Sequence, residues 1–371
     1  RARRDRRAAG GIGDMSFLPL RDRGSGSPLR GDSEHLSADF PTPGYRRLAF
    51  ATVGATFLLI LVGGVVRVSE SGLGCGPAGS GLNGWPFCNG DIVPGLELNA
   101  IIEYSHRALA GVVGLMMLTL AVLAFRRYRP NTGLVRATAA AVGLVIAQAL
   151  LGAATVEKDL DAGLVAAHLG LAMALLALLL YIVRSSAGDR SPVPGPGQTG
   201  AWLRPLSLAS GGLVLCTIVA GGYMAGTQNY GRADYQLGDG AHHACGKEFP
   251  SCNGEFLPFG QARLVDIHLT HRVFMYLATI FVIALIVMVL RRRPSAGAVR
   301  GAQIAAVLLF CQILVGALNV WLDEYEALIV LHLALGTLLW GTVVSVALAL
   351  YPAGAPATAR AGSPSGKAVT A

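Results

Sequence analysis

The sequence predicts an all-α polytopic membrane protein, with eight transmembrane helices arranged as two parallel-repeated four-helix bundles. Three observations carry this prediction. Of 371 residues, 53% are hydrophobic and only 14% charged, with a mean hydropathy of +0.53, too apolar and too sparsely charged for an ordinary soluble domain. Eight apolar runs each reach the roughly 20 residues needed to cross a hydrocarbon layer about 30 Å thick. Finally, a set of residues in the first half of the chain recurs in the second. The net charge of +8 does not point to nucleic acid, because the arginines fall in short clusters between apolar runs, as membrane flanks do.

Residues 1–45 are rich in Arg, Gly, Ser and Asp. Without an apolar period they read as a disordered cytoplasmic arm, with Met15 as a candidate start and no signal-peptide pattern. The apolar runs are expected near residues 47–67, 99–125, 134–155, 163–183, 204–225, 263–290, 299–320 and 328–351. Arg126, Arg127 and Arg129 follow the second run. Arg184, Arg190 and Arg204 lie between the fourth and fifth, and Arg291, Arg292, Arg293 and Arg300 follow the sixth. These mark the cytoplasmic side. Segments 68–98, 156–162, 226–262 and 321–327 carry few basic residues, so they face outward and both termini lie inside.

Cys88-Asn89-Gly90 recurs as Cys252-Asn253-Gly254. Gln148, Gly152 and Val156 recur as Gln312, Gly316 and Val320, and His168 recurs as His332. The offset spans four helices, an even number, so both halves share one orientation across the membrane: a parallel repeat about an axis along the membrane normal. The halves are 46–185 and 204–351. They are joined by a linker, 186–203, whose centre from Ser191 to Gly200 is rich in Pro and Gly, and followed by a cytoplasmic tail, 352–371.

The second run opens on Glu103, His106 and Arg107, and the sixth answers with His268, His271 and Arg272. Ionisable side chains are costly in a membrane helix unless they face a bundle interior, so they read as functional. His106 and His168 lie at similar depth, roughly 8–10 Å below the outer end of their helices at 1.5 Å per residue, and the same holds for His271 and His332. Two imidazoles at one depth inside a four-helix unit suit a bis-histidine haem and leave a bare metal ion short of ligands. Arg107 and Arg272, each beside a ligand, are candidate partners for haem propionates, with snorkelling as the bland alternative. Glu103 is the asymmetric feature, since His268 takes its place in the second half. A carboxylate there is suited to taking a proton or stabilising developing positive charge, or else to supporting His106 or Arg107.

Cys75 and Cys88 share the first outer loop, and Cys245 and Cys252 the third. On an oxidising face the simplest pairing is two disulfides within loops; exchange with thiol oxidoreductases is the alternative. Cys216 and Cys311, inside apolar runs, read as packing residues. His242 and His243, just before Cys245, read as solvated in preference to a loop metal site.

Together these residues resemble the haem A synthase family. The resemblance rests on Glu103-x-x-His106-Arg107, Gly72-Leu73-Gly74-Cys75, Trp85-Pro86-x-Cys88, His268-x-x-His271-Arg272, His168 and His332, and it covers residues 46–351. It implies an enzyme of the bacterial plasma membrane that oxidises the C8 methyl of haem O to the formyl group of haem A for terminal oxidases. Hydroxylations of the methyl would be followed by loss of water from a gem-diol. It further implies His106 and His168 as ligands of the substrate haem, His271 and His332 as ligands of a haem b cofactor, and Glu103 as the catalytic carboxylate. Haem O synthase and oxidase assembly factors are the implied partners. The chain departs from the compact family loop by placing residues 78–83 between Gly76-Pro77 and Trp85, and its third outer loop is long. The competing reading is a non-catalytic dihaem cytochrome that carries electrons; a transporter is weakened because the ionisable residues lie near the outer surface.

Overall fold

Helices built on the apolar runs account for almost all the regular structure of the computed structural model, which describes residues 41–186, 196–227, 240–322 and 325–351. They are α1 (Pro43–Val68), α2 (Leu98–Arg127), α3 (Thr132–Glu157), α4 (Ala162–Ser186), α5 (Pro196–Gly226), α6 (Arg263–Arg292), α7 (Ala296–Trp321) and α8 (Glu326–Leu350). Among the described residues there is no strand, and all eight helices are long and apolar enough to cross a membrane. The chain is a multi-pass α-helical membrane protein. Residues 1–40, half of the linker and residues 352–371, which carry the expected arm and tail, lie outside the described residues.

Helix ends follow local chemistry. Thr42 caps α1 through its side-chain oxygen, with Pro43 in the first turn, where its missing N–H costs nothing. Asn131 and Ser295 cap α3 and α7 in the same way. α5 starts at Pro196, upstream of the expected 204 and inside the stretch read as linker, because a proline is well suited to the first helical position. Basic residues occupy the last turns of α2, α4 and α6, while the cysteine loops adjoin the first turns of α2 and α6.

Each helix packs on its neighbours in sequence. α1 also closes on α4, and α5 on α8. One core cluster gathers Tyr45, Val113, Met117, Leu134, Leu179 and Ile182 from α1–α4. Another gathers α5–α8 together with Ile60, Met173 and Leu176, so α1 and α4 also face the second set of helices. Trp340 of α8 donates its indole N–H to the Met173 carbonyl of α4 at 3.1 Å. Small residues allow close crossings there, where no hydrophobic drive separates helix from lipid: a Cβ on Gly226 would stand 2.6 Å from Ala162 Cα, and one on Gly64 2.7 Å from Leu333 Cδ2.

Candidate functional site

The loop between α1 and α2 lies on the first turn of α2. A Cβ at Gly74 would stand 2.4 Å from the Asn99 backbone, so only glycine admits this approach. It brings the Cys75 amide over Glu103, which is 3% exposed and accepts that N–H on Oε2 at 2.8 Å. Glu103 Oε1 pairs with Arg107, one turn along the same helix. Arg107 Nη1 in turn donates to the carbonyls of Gly84 at 2.6 Å and Phe87 at 3.0 Å. Cys75 and Cys88 are joined in a disulfide, as are Cys245 and Cys252, and all four are buried.

In the second set of helices the arrangement is similar, with His268 in place of the acid on the helix and Glu248 as the acid within reach of the arginine. Arg272 donates to the carbonyls of Glu248 (2.7 Å), Ser251 (2.7 Å) and Pro250 (3.4 Å), with its guanidinium 5.6 Å from the Phe249 ring centre. His268 is buried and donates from Nδ1 to the Ala241 carbonyl at 2.9 Å. Both arginines, expected at propionates, thus spend three of their five N–H donors on neighbouring protein groups, leaving two each.

The four histidines sit on the loop side of the cores, half-buried. His168 lies within electrostatic reach of His106, and His271 of His332. Each ring faces a glycine on the preceding or a neighbouring helix. A Cβ would stand 3.2 Å from His106 at Gly63, 3.3 Å from His168 at Gly152, 3.0 Å from His271 at Gly221 and 2.9 Å from His332 at Gly316. His271 donates from Nδ1 to the Thr217 carbonyl at 3.0 Å, which leaves Nε2 as a bare lone pair, the form that binds iron. Gln148 Nε2 donates to the His168 carbonyl at 3.0 Å, and Gln312 Nε2 to His332 Nε2 at 3.2 Å.

Nδ1 of His168 and of His332, with Oε1 of Gln148 and of Gln312, are buried without a hydrogen-bond partner, and such orphans call for an occupant. Among the described residues no group of three or more His, Cys, Asp or Glu forms a metal-ion site. Paired imidazoles set against glycines, with open ring nitrogens, therefore fit haem better than a bare ion.

Glycines 63 and 221 escape sequence reasoning, since a glycine in an apolar run is unremarkable until the opposing ring is known. Glycines 152 and 316 were visible as a repeat but not as cradles. His242, expected to be solvated, is buried, its ring centre 4.2 Å from that of His243. Burial, with the charges of His243, Arg67 and His268 nearby, pulls its pKa down to about 3. The two helices that flank the loop, α5 and α6, pack on the segment that carries this histidine.

Fold and site thus define a multi-pass helical membrane protein with paired histidines and with loops closed by disulfides. The chain belongs to the cytochrome oxidase assembly protein family COX15-CtaA, whose model matches residues 95–344. It is 27% identical over 295 residues to the haem A synthase of Halalkalibacterium halodurans, covering 79% of this chain and 92% of that one. It is also 30% identical over 239 residues to the haem A synthase of Alkalihalophilus pseudofirmus (63% and 73%). A third relative, the haem A synthase of Symbiobacterium thermophilum, is 28% identical over 318 residues (83% and 96%).

Proposed function

We propose that this chain is a haem A synthase, an oxidoreductase that converts the C8 methyl of haem O to the formyl group of haem A for terminal oxidases. Family membership and the relatives named as haem A synthases support the reaction. The observation that carries the assignment to particular residues is Glu103, a buried carboxylate with both oxygens held, present beside one histidine pair and replaced by His268 beside the other. Simple electron transfer gives no reason for that difference.

The two helix sets are read as halves of a parallel repeat in the bacterial plasma membrane, with termini cytoplasmic and cysteine loops outside. His106 and His168 would hold the substrate haem, and His271 and His332 a haem b cofactor. Haem b, when bound, supplies one-electron redox chemistry. Glu103 is the group placed to take a proton from the reacting substrate or to stabilise positive charge developing on it. Arg107 and Arg272 keep two N–H donors each for propionates. The disulfide-closed loops cover the outer ends of α2 and α6 and restrict water. Haem O synthase and oxidase assembly factors are the expected partners.

Turnover of haem O by Glu103→Gln in isolated membranes tests this reading. The variant should fold and bind haem but lose roughly 10²-fold or more of its rate, the scale of a positioned acid–base group. Undiminished haem A production would remove Glu103 from catalysis.

A further inference from the structure

Arg107 and Arg272 grip their loops at matching places. Arg107 takes the carbonyls four residues and one residue before Cys88, and Arg272 takes those four residues and one residue before Cys252. Arg272 does so with no carboxylate at the place of Glu103, where His268 turns instead to Ala241; the acid within its electrostatic reach is Glu248, on the loop itself. The grip on the loop carbonyls therefore forms without a carboxylate four residues before the arginine.

Around Arg107 the same grip closes into a ring. Glu103 pairs with Arg107, Arg107 holds Phe87, Phe87 adjoins Cys88, Cys88 is bonded to Cys75, and the Cys75 amide donates back to Glu103. Each carboxylate oxygen of Glu103 is thus anchored, one through Arg107 and one directly, to one of the two loop strands that the disulfide joins.

We propose that Arg107 is a positioning residue for Glu103, fixing the carboxylate to the disulfide-closed first loop. The planar fork suits this task, since it binds the carboxylate and two carbonyls in one fixed geometry that a lysine ammonium does not reproduce. The proposal rests on the reading of Glu103 as the catalytic carboxylate. It assigns the first loop a role beyond covering the site: its covalent closure sets where Glu103 points. Arg272 grips its loop in the same way but positions no carboxylate on its own helix.

The test combines a double-mutant cycle with amide hydrogen exchange on the full chain. Glu103→Gln, Arg107→Gln, the double variant and Arg272→Gln are compared for haem O turnover, haem content and exchange across residues 71–90 and 240–255. Turnover per bound haem in Arg107→Gln should fall on the scale of Glu103→Gln, and the double variant should be no slower than Glu103→Gln, as groups acting as one unit behave. Exchange at Cys75 and its neighbours should rise about tenfold or more in Arg107→Gln, with or without haem, since a protecting contact is lost. Arg272→Gln should loosen residues 240–255 and leave 71–90 unchanged.

A multiplicative loss in the double variant, or unchanged Cys75 exchange in Arg107→Gln, would overturn the proposal while leaving the function intact. Full turnover in Glu103→Gln would overturn both. If Arg107→Gln does not fold, Arg107→Lys carries the same cycle, keeping the charge but losing the fork.

Discussion

Replacing Gly221 by Ala adds one methyl group facing the ring of His271. Its Cβ would stand 3.0 Å from Cε1 and 3.2 Å from Nδ1, several tenths of an ångström inside ordinary contact. The ring is not free to yield, because Nδ1 is tied to the Thr217 carbonyl at 3.0 Å. Either that bond lengthens or the imidazole tilts, and in both cases Nε2 is re-aimed. Overpacking of this kind costs about 1–3 kcal/mol, or roughly 5- to 140-fold in haem affinity at tenfold per 1.4 kcal/mol. Gly212 lies on the same helix with nothing within 4 Å of its Cβ position, so Gly212→Ala is the control. Titrating haem-free protein with haem b and following the low-spin absorption bands reads the affinity directly. The reasoning fails if Gly221→Ala binds haem b as tightly as wild type with an unshifted spectrum, or if Gly212→Ala weakens binding as much.

Other consequences follow from the same geometry. His271→Ala and His332→Ala should remove the resident haem from purified protein, whereas His106→Ala and His168→Ala should chiefly impair haem O binding; equal haem loss in all four would contradict the division. Opening the first disulfide with Cys75→Ser and Cys88→Ser frees a closure 13 residues apart in sequence, which on a chain-entropy model is worth about 3 kcal/mol; the loop should become protease-sensitive, and a loop as resistant as wild type would contradict its structural role. His242 titrates at about 3 in the closed third loop and near 6.5 when exposed. The opened loop therefore binds a proton as pH falls below about 6.5 while the closed loop does not, so closure is favoured above that pH and weakens progressively toward pH 3. Protection factors over residues 240–252, which divide out the intrinsic pH dependence of amide exchange, should fall as pH drops through that window, and His242→Asn should flatten the dependence; a pH-independent wild-type protection factor would be against it.

The helices were legible because a membrane span leaves a long, unbroken apolar signal, and the histidines because imidazole is rare there and four recur in register. The cysteine pairs were legible from their shared loops. What the sequence did not disclose depends on contacts between segments far apart in the chain. That the arginines also hold loop carbonyls was hidden, because the carbonyls they grip leave no trace in residue type. Gly63 and Gly221 do not recur at the repeat spacing and gain meaning only opposite His106 and His271. His242 looked solvated because the packing of its segment on α5 and α6 leaves no trace in residue type. The early start of α5 was hidden because Pro and Gly at 192–197 read as a breaker, although a proline also begins helices well.

The most direct test is acid extraction and chromatography of the haems bound to the full chain, purified from cells that supply haem O. Haem b together with haem O or haem A is the predicted result, one cofactor site and one substrate site. Haem b alone, with low-spin bands and no formyl product, would contradict the synthase and leave a dihaem electron carrier in its place.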